Sequence, residues 1–173
     1  IMQEKYGACY DYDYPEMIII NLPIPDIVES VKDGKAILKL LKSRLQKLEF
    51  FGCDLIAIPC NTINIFFDDM RCYVKIPILN IAEEVKKEVE FFNYKKVGIL
   101  ATNTTVKESI YKSDKFQTVY PSKIDQRKLN KIILNIMSGK KLYKDKKEII
   151  KIIRKLGKSG AECVVLGCTE LPL

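Results

Sequence analysis

Apolar residues along the chain alternate between short continuous runs and longer stretches where they recur every three or four positions. The short runs read as strands and the periodic stretches as helices. Met17–Leu22 is a β-rich run after a loop rich in aspartate and tyrosine, and predicts a strand. Gly34 to Phe51 carries Ile37, Leu40, Leu41, Leu45 and Leu48 at helical spacing, with Gly52 as the stop. Asp54–Ile58 is a continuous apolar run, expected for a strand buried on both faces of a parallel sheet. Lys75–Leu79 predicts a further strand, and a helix follows from about Ile81 to Phe91. The same order then restarts. Strands are expected at Lys96–Ala101, at Gln117–Tyr120 (ended by Pro121) and, buried, at Glu162–Leu166. Helices are expected at Thr104–Tyr111, at Leu129–Met137 up to Gly139, and at Lys144–Leu156.

Strands alternating with helices predict an α/β fold with parallel sheets. The change between two lobes falls near Asn93-Tyr94, so residues 1–92 and 93–173 are expected to form an N-terminal and a C-terminal lobe. Each is a mostly parallel sheet flanked by helices, with the site in the cleft between them. The chain opens at Ile1 without an initiator methionine and stops at Leu173 directly after a compact motif. Both ends read as cut, from a longer chain.

An internal repeat sharpens this picture. At a shift of 108 residues, Gly52, Asp54, the run Leu55–Ile58 and Cys60 fall on Gly160, Glu162, the run Cys163–Leu166 and Cys168. Leu41, Leu45 and Leu48 fall on Ile149, Ile153 and Leu156, so the preceding helix keeps the register. Cys60 and Cys168 thus stand two positions beyond the last apolar residue of equivalent strands. Binding sites in open α/β sheets lie outside those carboxyl ends. Pseudo-symmetric lobes would set the two cysteines on opposite walls of one cleft. Polar residues follow each thiol (Asn61-Thr62 and Thr169-Glu170) and suit the start of a helix, whose free N–H groups favour a thiolate. Cys9, Cys53, Cys72 and Cys163 read as ordinary free cysteines.

Composition narrows the chemistry. The 173 residues are 47% hydrophobic and 29% charged, an ordinary globular mix for one domain or two small lobes. No run reaches the roughly 18–20 apolar residues of a membrane-spanning helix. No secretory signal is visible, and six cysteines without a CxxC pair suit the reducing cytoplasm. The chain has no histidine, which excludes Ser-His-Asp, Cys-His and HExxH chemistry. The net charge of +7 comes mostly from lysines that punctuate helical faces, with only four arginines. That favours solvated surfaces over nucleic-acid reading.

Two facing thiols, one ionised and one protonated, meet the requirement of racemisation without a cofactor: one removes a proton from a carbon and the other returns one to the opposite face. The carbanion then needs hydrogen-bond donors and a desolvated base. Asn61, Thr62, Thr169 and the backbone N–H groups after each cysteine are available. Thr102, Asn103, Thr104 and Thr105, just past another strand, form a second polar cluster.

Ile58-Pro59-Cys60-Asn61-Thr62 together with Leu166-Gly167-Cys168-Thr169-Glu170-Leu171-Pro172-Leu173 resembles the aspartate/glutamate racemase family, and its aspartate racemases most of all. Asn21-Leu22-Pro23-Ile24-Pro25-Asp26 and Val97–Thr102 with Thr105 resemble further segments of that family. The resemblance implies cofactor-independent, two-base racemisation of a small amino acid, aspartate or glutamate, with Cys60 and Cys168 as the proton-transfer pair. It implies Asn61, Thr62, Thr102, Thr105 and Thr169 as substrate-binding residues, with Glu170 beside them. It also implies a cytoplasmic homodimer, with no metal and no nucleic-acid or membrane partner. The family's opening strand, its glycine-rich turn and its final helix have no counterpart here. Ile27 and Met137 stand where aspartate racemases carry Arg and Lys, so the grip on a side-chain carboxylate is missing or comes from another group such as Lys32 or Lys140.

Alternatives keep the fold and change the substrate, as in hydantoin racemases and maleate isomerases. More remote are a thiolate metal site built from Cys53, Cys60, Cys163 and Cys168, and a non-catalytic polyanion binder. The cysteine spacings lack the tight knuckles of structural zinc.

Overall fold

A computed structural model describes residues 2–140 and 143–172. A short helix, α1 (Met2–Tyr6), and a single tight turn at Asp11–Asp13 precede an extended stretch that runs to α2 (Gly34–Phe50). Asp33 caps α2 by accepting from the Ala36 N–H at 3.0 Å, and Gly52 at φ 82° turns the chain out of it. β1 (Ile56–Ala57) follows, then a 3₁₀ turn at Thr62–Phe66, α3 (Phe67–Met70), β2 (Ile78–Leu79) and α4 (Ile81–Phe91). The remainder is β3 (Lys96–Ala101), α5 (Asn103–Lys107), β4 (Gln117–Val119), α6 (Lys123–Met137), α7 (Tyr143–Lys158) and β5 (Cys163–Gly167).

Two parallel sheets result. β1 pairs with β2, and β3 stands between β4 and β5, all in parallel register. Ile37, Leu41 and Leu45 of α2 close over Ile56 and Ile63 to make the core beside the first sheet. Beside the second sheet, α6 and α7 press Leu129, Ile132, Ile133, Ile149, Ile152 and Leu156 onto Leu100. The opposite face of β3 packs with Ala82 and Val89 of α4, Tyr111 and Phe116. β3 is therefore covered on both sides, and its residues from Val97 to Ala101 are buried. Gly98 suits this tight layer: a methyl group there would sit 3.1 Å from Leu156 and Val164 side chains, which would have to give way.

The repeat is real at the level of backbone. Ile56-Ala57 and Val164-Val165 both lie in strands, each preceded by a helix whose Leu41 and Leu45, or Ile149 and Ile153, face a core.

Several expectations need correction. Met17–Leu22 forms no strand, because none of the described strands lies alongside to complete a hydrogen-bonded ladder, and Ile19 is 85% exposed. The run at 54–58 is not buried on both faces: Ile56 is buried, but Leu55 and Ala57 on either side are exposed. Helices cover only one face of this two-stranded sheet among the described residues. β5 is likewise an edge strand whose Leu166 is exposed. α6 begins six residues earlier than its apolar spacing suggested. Ser122 caps it, and buried Gln126 and Asn130 interrupt the apolar pattern. α5 is shorter than expected and gives way at Ser109, which adopts φ 54°.

Candidate functional site

Three loops that leave the carboxyl ends of β1, β3 and β5 carry the residues singled out by sequence. Thr102 leaves β3 and caps α5, accepting from the Thr105 N–H at 3.1 Å. Its hydroxyl lies 2.9 Å from that of Thr105, and the Thr62 hydroxyl completes a triangle at 3.0 and 3.1 Å. All three are almost fully buried. The triangle joins the loop after β1 to the loop after β3.

Cys60 is half-buried just before the 3₁₀ turn, and its carbonyl accepts from Asn64 Nδ2 at 2.8 Å. Burial pushes its thiol up, the N–H groups of Ile63 and Thr62 oppose that by favouring the thiolate, and the Glu170 charge adds to the rise. Cys168 is buried directly after β5 and donates its S–H to Glu170 Oε2 at 2.9 Å. Burial, that carboxylate and a charge on Cys60 together push the Cys168 thiol up to about 12, against the Glu170 N–H, which favours the thiolate. The two thiols and Glu170 therefore share one electrostatic neighbourhood. Thr169 is exposed, and its hydroxyl also donates to Glu170 Oε2, at 3.1 Å. After Cys168 the described chain makes a turn closed by Leu171 N–H on the Cys168 carbonyl.

Asn61 is buried, and its Oδ1 accepts from the Tyr111 hydroxyl. Sequence reasoning missed Tyr111. Its ring is 2% exposed, and burial together with the nearby Cys168 charge pushes its phenol up to about 12. The one available signal was Gly167, since a glycine closing a strand marks a close approach.

Asn103 and Thr104 serve elsewhere: Asn103 Nδ2 donates to the Glu29 carbonyl, and Thr104 to the Val28 carbonyl. These bonds strap residues 28–29 onto the second sheet, with the Val28 side chain buried among Leu100, Leu129 and Cys168. Ile27 is buried in the apolar cluster that Cys60 packs against, whereas Met137 is exposed at the end of α6. Lys32 and Lys140 are exposed. No group of three Cys, Asp or Glu side chains among the described residues could hold a metal ion. No described helix is long and apolar enough to cross a membrane.

The model of the family described as Asp/Glu/hydantoin racemase matches residues 2–173. The chain belongs to that family. Among curated relatives, it is 36% identical over 109 residues to the broad specificity amino-acid racemase RacX of Bacillus subtilis, covering 63% of this chain and 48% of that protein. It is 23% identical over 171 residues to a glutamate racemase of Shewanella halifaxensis, covering 96% of this chain and 60% of that one. The chain thus spans about half to three-fifths of the length of these relatives. Among solved structures, an aspartate racemase of Picrophilus torridus superposes with a TM-score of 0.80 at 26% identity, over 95% of this chain and 71% of that one. An aspartate racemase homologue from Pyrococcus horikoshii gives 0.78 at 30% identity, over 99% and 77%. The racemase-family fold is therefore that of the whole described chain.

Proposed function

We propose that the protein racemises a small α-amino acid, with aspartate the first expected substrate, by proton transfer between Cys60 and Cys168. The observation that carries this reading is geometric: Cys60 and Cys168 follow the carboxyl ends of equivalent strands, and Glu170, which accepts from the Cys168 thiol, also acts on Cys60. Cys60, whose thiolate the Thr62 and Ile63 N–H groups stabilise in part against the burial that raises its thiol, takes the Cα proton from one face. Cys168, held protonated beside Glu170, gives its proton to the other face. The opposite enantiomer runs the same path backwards. A product state with Cys60 as thiol and Cys168 as thiolate resets by proton exchange with solvent, for which Glu170 is the adjacent carrier.

Asn61, Thr62, Thr102 and Thr105 gather donors where the substrate carboxylate accumulates charge as the proton leaves, and burial strengthens each such bond. Thr169 and Glu170 supply acceptors for the ammonium group. No cofactor is needed for this chemistry, because the two thiols and the buried donors supply both the base and the stabilisation. We further propose lobes 1–92 and 93–173 with the substrate between them, and a cytoplasmic homodimer. Ile27, apolar and beside the Cys60 cluster, favours a second reading in which neutral amino acids or hydantoins are also accepted.

A substrate panel in D2O tests both. Deuterium at Cα with drift to a racemic mixture from aspartate supports the main reading. Turnover that extends to neutral amino acids or hydantoins supports the second, and no exchange with any member contradicts both.

A further inference from the structure

Tyr111 touches both cysteine loops. Its hydroxyl donates to Asn61 Oδ1, on the residue after Cys60. Its ring edge fills the space beside Gly167, the residue before Cys168: a methyl group at Gly167 would sit 3.0 Å from Tyr111 Cε2 and 3.1 Å from Ala101 Cβ. One rigid side chain, locked in a core with Val97, Ile99 and Ala101 of β3, thus spans the distance between the loops that bear the two thiols. Its hydroxyl also lies within the field of the Cys168 sulfur.

We propose that Tyr111 is the positioning residue that fixes the spacing of the Cys60 and Cys168 sulfurs, with Gly167 as the glycine that admits its ring. The inference rests on the two-thiol racemisation proposed above, but it concerns geometry that is measurable without turnover. Removing the hydroxyl frees Asn61 and lets the Cys60 loop drift relative to β5. Displacing the ring by Gly167→Ala does the same from the other side while the hydroxyl remains. A loss of register of about 1 Å between reacting groups costs on the order of 10²-fold in rate. The expected signature is a fall in kcat larger than any change in KM, since the threonine triangle is untouched while Asn61 loses its anchor. Exchange of the α-proton, which needs one thiol, falls less than inversion, which needs both. A side chain that only supported the fold would reduce exchange and inversion together.

The experiment compares wild type, Tyr111→Phe and Gly167→Ala in the full chain by two readouts, with thermal melts in parallel. The first is the rate at which dibromobimane bridges Cys60 to Cys168, located by mass spectrometry with Cys9→Ser and Cys72→Ser as the background. The second is inversion against α-deuterium exchange. Slower bridging in either folded variant, with the exchange-to-inversion ratio raised, supports the proposal. Slower bridging in a protein whose wild type inverts nothing upholds the positioning role and removes the racemase reading. Wild-type bridging and inversion rates in both variants overturn the proposal. So does failure of the wild type to bridge, because no spacing would then exist to be set.

Discussion

The Cys168 thiol donates to Glu170 Oε2 at 2.9 Å, and the same carboxylate raises the thiol of Cys60. One acid therefore restrains ionisation of both sulfurs. Glu170→Gln removes the charge and leaves a hydrogen-bonding side chain of the same shape. Both thiols should then ionise at lower pH, because an opposing negative charge is gone. The limb on which kcat/KM rises with pH should move towards neutrality, checked by a pH profile of inversion. A limb that stays in place or moves to higher pH would contradict the assignment of Glu170.

Stability should fall at alkaline pH. Cys168 is raised from 9.0 to about 12 and Tyr111 from 10.0 to about 12. Both groups bind their protons more tightly in the folded protein than in the unfolded chain. Their contribution is present in full below about pH 9 and is lost as pH climbs towards 12. Denaturant titrations at pH 8 and pH 11 should show the drop, and Cys168→Ala should reduce it. An identical drop in Cys168→Ala would assign the loss to other groups.

The threonine triangle joins the loops after β1 and β3, so its members should be coupled. Thr62→Val and Thr102→Val each leave a buried hydroxyl short of a partner, at a cost of about 1–3 kcal/mol. The double variant should cost less than the sum, with a coupling of about 1 kcal/mol read from a double-mutant cycle. Strict additivity would mean that the contact contributes nothing.

Gly98→Ala tests the packing on which the second sheet depends. A methyl group there meets Leu156 and Val164 at 3.1 Å inside a closed layer, and overpacking of this kind costs about 1–3 kcal/mol. A loss of unfolding free energy of that size is expected in urea titrations, read as a lower midpoint at unchanged slope. An unchanged midpoint would show that α7 is free to yield.

Much of this architecture is legible in the sequence where periodicity and burial agree. The apolar spacing of α2 and α7, the closed strand at 96–101 and the repeat that aligns Cys60 with Cys168 all depend on local pattern. What escapes depends on partners that pattern does not contain. Met17–Leu22 has the residues of a strand, but no described strand pairs with it. Leu55 and Leu166 belong to apolar runs but lie on a half-covered sheet and an edge. Thr62, Thr102 and Thr105 stand out in the sequence as polar residues just past strands, while their mutual hydrogen bonding is a tertiary fact. Tyr111 was missed because its significance lies in touching two loops that are 50 or more residues away in the chain.

The central claim is that positions 60 and 168 move the proton as a pair. Either enantiomer of aspartate, incubated with enzyme in D2O, should yield the inverted product carrying deuterium at Cα. Cys60→Ala and Cys168→Ala should each lower inversion by on the order of 10²–10⁴-fold, since each removes one acid–base partner. Inversion at the wild-type rate by either single variant would contradict the account.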